Sequence, residues 1–221
     1  MAPAQGNAAI LRPIMPKRTK VVGLTVLAGV VWAGSITAGI SLMLNYERTA
    51  GSAGTVRSDW PADSSLRVAP DRATLLVFAH PRCPCTRATM SELAEVVTHT
   101  HGKLRASVVF FAPPDAGRDW YDTELQREAA AIPGVSVISD REGTEARRFG
   151  VETSGHALLF AADGRLLFQG GITASRGHEG VNAGENAIVA IVNGRAAPQN
   201  KTLVFGCSLG DRKQLANATT P

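Results

Sequence analysis

The sequence predicts an α/β domain with a central mixed sheet flanked by helices, preceded by one transmembrane helix. Three observations carry this. An uncharged run of 24 residues lies near the N-terminus; short apolar runs alternate with helical spacing from Thr74 onward; an Asp-Gly hairpin then leads to a last helix. Between the first strand and its helix stand two cysteines one residue apart, Cys83-Pro84-Cys85.

The uncharged run, Val21 to Leu44, is long enough to cross a bilayer core of ~30 Å, which takes about 20 helical residues. The bland reading is a buried helix of a soluble domain; against it, helices of such domains ordinarily keep a polar face, and this run has none. A cleaved signal peptide with an apolar core at Val21 to Ala33 and small residues at Thr37, Ala38 and Gly39 is the rival reading, and it too exports the domain. Lys17, Arg18 and Lys20 precede the run and Glu47 follows it, so the positive-inside rule puts the N-terminus in the cytoplasm and the domain outside, in the periplasm or its equivalent. The expected organisation is a cytoplasmic tail over 1–20, an inner-membrane anchor over 21–44 and a linker over 45–73. A domain over 74–195 and a C-terminal extension over 196–221 with Cys207 complete it.

The net charge of +4 is located in the same place. Arg12, Lys17, Arg18 and Lys20 are unopposed in the first 46 residues, which leaves the remainder with 19 basic and 19 acidic side chains. A nucleic-acid partner is therefore excluded, because its electrostatic footprint would have to lie on the folded domain. With 44% hydrophobic residues the chain can bury one ordinary core.

Thr74 to Ala79 reads as a buried strand, and Thr86 to His101 as a helix with Met90, Leu93, Val96 and Val97 on one face and Glu92 and Glu95 on others. Ala106 to Ala112 is a second strand, parallel to the first because the connection is a helical crossover. Trp120 to Ala131 reads as a helix, Val135 to Ile138 as a strand, and Glu142 to Phe149 as a helix capped by Gly150. Ala157 to Ala161 and Arg165 to Gln169 form a hairpin across Ala162-Asp163-Gly164, and Glu185 to Val192 is the last helix.

This order places the cysteines at a helix N-terminus, where free N–H groups and partial positive charge stabilise a thiolate. Cys83, with Arg82 and Arg87 close in sequence, is the candidate attacking thiol, and Cys85 the thiol that resolves the mixed disulfide. A disulfide across one residue closes a very small ring, which favours an oxidant or isomerase over a reductant. The bland reading is a pair of structural thiols; an exported domain and an exposed turn at Pro84 argue against it. Cys207, about 120 residues later, is either a third thiol that joins the pair or a lone cysteine.

The stretches LLVFAHPRCPCTRATMSEL and VSVISDREGTEARRFGVETSGHALLFAADGRLLFQGG resemble the membrane-tethered, extracytoplasmic thioredoxin-like proteins, including an insertion over 113–140. TSGHALLF, GGITASRGHEG and VFGC are similar to a small bacterial family, RedB. The resemblance implies a thioredoxin-like fold and a membrane-tethered thiol-disulfide oxidoreductase that needs no cofactor and has protein thiols or disulfides as partners. The chain departs from the family in having Cys-x-Cys for Cys-x-x-Cys, and Gly155 where the family places a cis proline that faces the dithiol and keeps metals off it.

Two other classes follow from the same residues. A metallochaperone or metal sensor would hold Cu or Zn through Cys83, Cys85 and Cys207 with His156 or His80. A redox-inactive binding module would keep the fold alone. The blander places for these histidines are a strand end beside the thiols for His80, a strand interior for His156 and an exposed helix end for His99 and His101. The glycine-rich run 170–180 lacks the Gly-Lys-Ser/Thr of a phosphate loop and reads as an exposed connector or a partner groove presenting Arg176, His178 and Glu179.

Overall fold

The computed structural model describes residues 17–210, in two units that divide between Asn45 and Tyr46. Helix α1, Lys17–Arg48, supplies nearly all of the described first unit and runs four residues past the expected end of the span. Its segment Val21–Arg48 is long and apolar enough to cross a membrane. The few hydroxyls in it turn inward on the helix: Thr25, Ser35, Thr37 and Ser41 donate to carbonyls one turn earlier at 2.8 to 2.9 Å. No polar group of these side chains then needs water, a condition for a helix in lipid.

The second unit is a five-stranded sheet. In chain order its elements are β1 Ala73–Ala79, α2 Thr86–His99, β2 Leu104–Ala112, α3 Arg118–Tyr121, α4 Glu124–Ala131, β3 Val135–Arg141, α5 Thr144–Phe149, β4 His156–Phe160, β5 Leu166–Gly171 and α6 Ala183–Val192. The strand order is β3-β2-β1-β4-β5. β1, β2 and β3 are parallel, whereas β4 and β5 run antiparallel to their neighbours. Central β1 is buried along Thr74–Ala79, as a strand covered on both faces must be. This is the thioredoxin-like arrangement.

Alternate residues of each strand enter two cores. Leu75, Val77, Val108, Phe110 and Leu159 meet Leu93 and Val96 of α2 and Ile188 of α6. Leu76, Phe78, Val109, Leu158 and Phe160 meet Phe149 of α5. Residues 45–73, read above as a linker, carry Val56, Trp60, Leu66 and Val68 against this second core, and Trp60 lies edge-on to Phe149 and Phe160 at 5.1 and 5.0 Å. Buried Glu145 accepts from the hydroxyl and N–H of Ser65 at 3.0 Å and so fixes that stretch from the polar side.

Two local readings change. The single helix expected over Trp120 to Ala131 is two, because Asp122 leaves helical geometry and Thr123 starts a new helix with a reciprocal capping box to Gln126. Glu92, expected on an outer face, is buried in α2 because the loop after β5 folds over it, and Asn182 Nδ2 donates to its carboxylate at 2.9 Å. Gly150 ends α5 as expected, in the left-handed region at φ 73°. A Cβ there would also lie 1.8 Å from the Thr55 carbonyl oxygen, so close backbone approach requires glycine as well.

Candidate active site

β1 delivers the chain to the thiols. After Ala79 a tight turn forms in which Cys83 N–H donates to the His80 carbonyl at 3.1 Å and Thr86 N–H to the Cys83 carbonyl at 3.1 Å. α2 begins at Thr86, and Cys85 is its N-cap residue without any side-chain capping bond. Cys83 therefore precedes the helix by one turn, facing N–H groups that the helix itself cannot use.

The segment before β4 closes the turn from the side. Ser154 Oγ accepts the His80 N–H at 2.8 Å and lies 2.7 Å from Thr86 Oγ1, while Gly155 N–H donates to the Phe78 carbonyl at 2.8 Å. Gly155 stands at φ 88°, a conformation that suits glycine, and a Cβ would approach Thr89 Oγ1 to 3.1 Å.

A third segment comes from the C-terminal extension. Ser154 N–H donates to the Cys207 carbonyl at 2.8 Å, Leu209 N–H to the Glu152 carbonyl at 2.9 Å, and Thr153 and Ser208 form an antiparallel bridge. The approach is close enough that a Cβ on Gly206 would fall 1.9 Å from the Ser154 carbonyl oxygen. This pairing sets Cys207 Sγ 2.9 Å from Cys83 Sγ.

The three thiols are electrostatically unlike. Burial pushes the Cys83 thiol up, but hydrogen bonds from the Cys207 and Thr86 side chains and from the backbone of Cys207 and Cys85 outweigh it and leave its pKa below the ordinary cysteine value. Cys85 is raised, by burial and then by the charge of Cys83, with Arg176 opposing. Cys207 is pushed up to about 12 by burial, by its bond to Cys83 and by the neighbouring thiolate charges. Cys83 is thus the thiol poised to ionise, and once it does, Cys207, which keeps its proton, is the donor across the 2.9 Å contact.

The cations differ from those the sequence suggested. Arg82 is occupied by Asp119 at 2.7 Å and lies over the Trp120 ring at 4.3 Å, and Arg87 pairs with Glu124 at 2.8 Å. The cation that reaches the thiols is Arg176 from the glycine-rich run. Its charge opposes the rise in the Cys85 pKa, and it donates to the Gly206 carbonyl, donates through Nε to the Thr49 carbonyl at 3.2 Å, and covers the Tyr46 ring at 4.9 Å. His178 and Glu179 of the same run are spent on Glu47 and Ser91. The signal in the sequence was only a cation in a flexible run; its target depends on tertiary structure.

A metal reading of these thiols finds no support. Among the described residues no group of three His, Cys, Asp or Glu side chains is arranged to hold an ion. His80 stacks on Phe111 and meets the edge of Trp120, and burial followed by the Arg82 charge lowers its pKa. His156 is 1% exposed, with neither ring nitrogen hydrogen-bonded among the described residues.

No family description and no curated protein sequence matches this chain. Solved structures do. A hypothetical protein of Sinorhizobium meliloti superposes with a TM-score of 0.53 at 20% identity, over 73% of this chain and 93% of its own. An uncharacterized conserved protein of Geobacillus kaustophilus gives 0.53 at 17% identity, over 73% and 91%. The exposed lipoprotein thioredoxin of Streptococcus pneumoniae matches more loosely, at 0.39 and 15% identity over 57% and 86%. At these identities the likeness of the first two is one of fold.

Proposed function

We propose that the protein is a membrane-tethered thiol-disulfide oxidoreductase in which Cys83 is the attacking thiol. The observation that carries this reading is the setting of Cys83: a buried thiol in the turn that starts α2, 2.9 Å from a second thiol sulfur, with donors around it that hold its pKa below the ordinary cysteine value. A thiolate, not a thiol, attacks a disulfide. A second thiol of the same site closes the cycle; the sequence nominates Cys85. α1 anchors the domain, and Lys17, Arg18 and Lys20 ahead of the span orient it away from the cytoplasm, into the compartment where protein disulfides form. Its partners on this reading are protein thiols and disulfides.

The test is exchange between the reduced full-length protein in detergent and oxidised glutathione, followed by acid quench and mass analysis. Cys83→Ser is expected to reduce formation of the mixed disulfide to background. Exchange at the wild-type rate in Cys83→Ser would remove the basis for the proposal.

A further inference from the structure

We infer that the internal disulfide of this site joins Cys83 to Cys207, and that Cys85, despite its place in the motif, stays a thiol in both redox states. The inference rests on the exchange reading above and names the residue that completes it.

Two observations carry it. First, Cys207 Sγ is 2.9 Å from Cys83 Sγ. Second, that approach is built: the Cys207 carbonyl is held by Ser154 N–H, Ser208 is bridged to Thr153, and Gly206 sits where any side chain would collide with Ser154. Ser154 in turn bonds His80 and Thr86, which flank Cys83 in the turn. One short hydrogen-bonded chain therefore ties both cysteines to the same loop.

The Cys83 thiolate attacks one sulfur of a client disulfide; the client S–S bond breaks, a Cys83–client bond forms, and the departing client thiolate takes a proton from water. Cys207 Sγ then attacks Cys83 Sγ. The mixed disulfide breaks, the Cys83–Cys207 bond forms, and the proton of Cys207 passes to the second client sulfur. Two electrons move from the cysteine pair to the client, and the reverse sequence oxidises a client dithiol. The raised pKa of Cys207 suits the second role, since it leaves Cys83 as the thiol that attacks first.

The experiment equilibrates full-length protein in detergent with glutathione buffers from reducing to oxidising, blocks remaining thiols by alkylation and maps them by peptide mass. The expected oxidised state contains a peptide joined through Cys83 and Cys207, with Cys85 alkylated. A peptide closed internally between Cys83 and Cys85, with Cys207 alkylated, overturns this inference and leaves the exchange reading standing. All three cysteines alkylated at every potential overturns both. Cys207→Ser and Cys85→Ser give an independent check under the same buffers. The first is expected to stall as the Cys83–glutathione mixed disulfide and the second to close as the wild type does; the opposite pattern overturns the inference.

Discussion

Cys83 and His156 are hidden to the same degree, 3% and 1% exposed, and the fold brings them near each other, since His156 pairs across β1 and β4 with Phe78, which shortly precedes Cys83 in the chain. Their surroundings are opposite. Cys83 sits among donors from two segments, its own turn and the C-terminal segment at Cys207, and its ionised form is favoured. His156 sits without a hydrogen-bond partner among the described residues, and burial followed by the Lys201 charge depresses its pKa to about 4, so its charged form is suppressed. Burial alone acts in the same sense on both, against charge. What separates them is where the fold spends its hydrogen bonds, and it spends them around the thiol.

The contrast can be broken from the histidine side, with the largest energetic effect. A His whose folded pKa lies below its unfolded value of about 6.5 supports the fold when neutral, above the unfolded pKa, and that contribution is lost as pH falls toward and through the folded value. From 6.5 to about 4 the loss is on the order of 3 kcal/mol. Denaturant unfolding at pH 7 and pH 4 is expected to show a smaller acid penalty in His156→Leu than in the wild type by that amount. Equal penalties would mean that His156 takes up its proton as readily in the folded protein as in the unfolded chain, and that its burial does not suppress its charge.

A smaller effect tests the thiol side. Gly206→Ala puts a methyl group into the Ser154 carbonyl, and overpacking of this kind costs about 1–3 kcal/mol as the two segments part. The same change is expected to draw Cys207 away from Cys83 and so raise the Cys83 pKa. If unfolding stability falls while Cys83 titrates as before, the donors to Cys83 do not depend on the C-terminal clasp.

The difference between the two sites also explains what could be read in advance. The thiol turn was legible because its signals are local: an apolar run, a His-Pro-Arg-Cys-Pro-Cys break, then helical spacing from Met90 to Val97. The hairpin turn at Asp163-Gly164 was equally local. Cys207 could be noticed and not placed, because nothing periodic surrounds it. Its position comes from backbone pairing with Thr153 and Ser154 about 50 residues earlier in the chain, which no side-chain pattern encodes. Arg82 and Arg87 lie closest to the thiols in sequence, yet Asp119 and Glu124 claim them from a segment more than 30 residues away. Glu92 carried the polar signature of an outer face and is buried because Asn182 comes to meet it.

The measurement closest to the central claim is the pH titration of thiolate absorbance in the reduced full-length protein in detergent, with Cys83→Ser and Cys207→Ala alongside. The account predicts one transition below the ordinary cysteine range of about 8.5, absent in Cys83→Ser and moved upward in Cys207→Ala, where the donor to Cys83 is gone. A lowest transition that persists in Cys83→Ser, or that ignores the loss of Cys207, would contradict it.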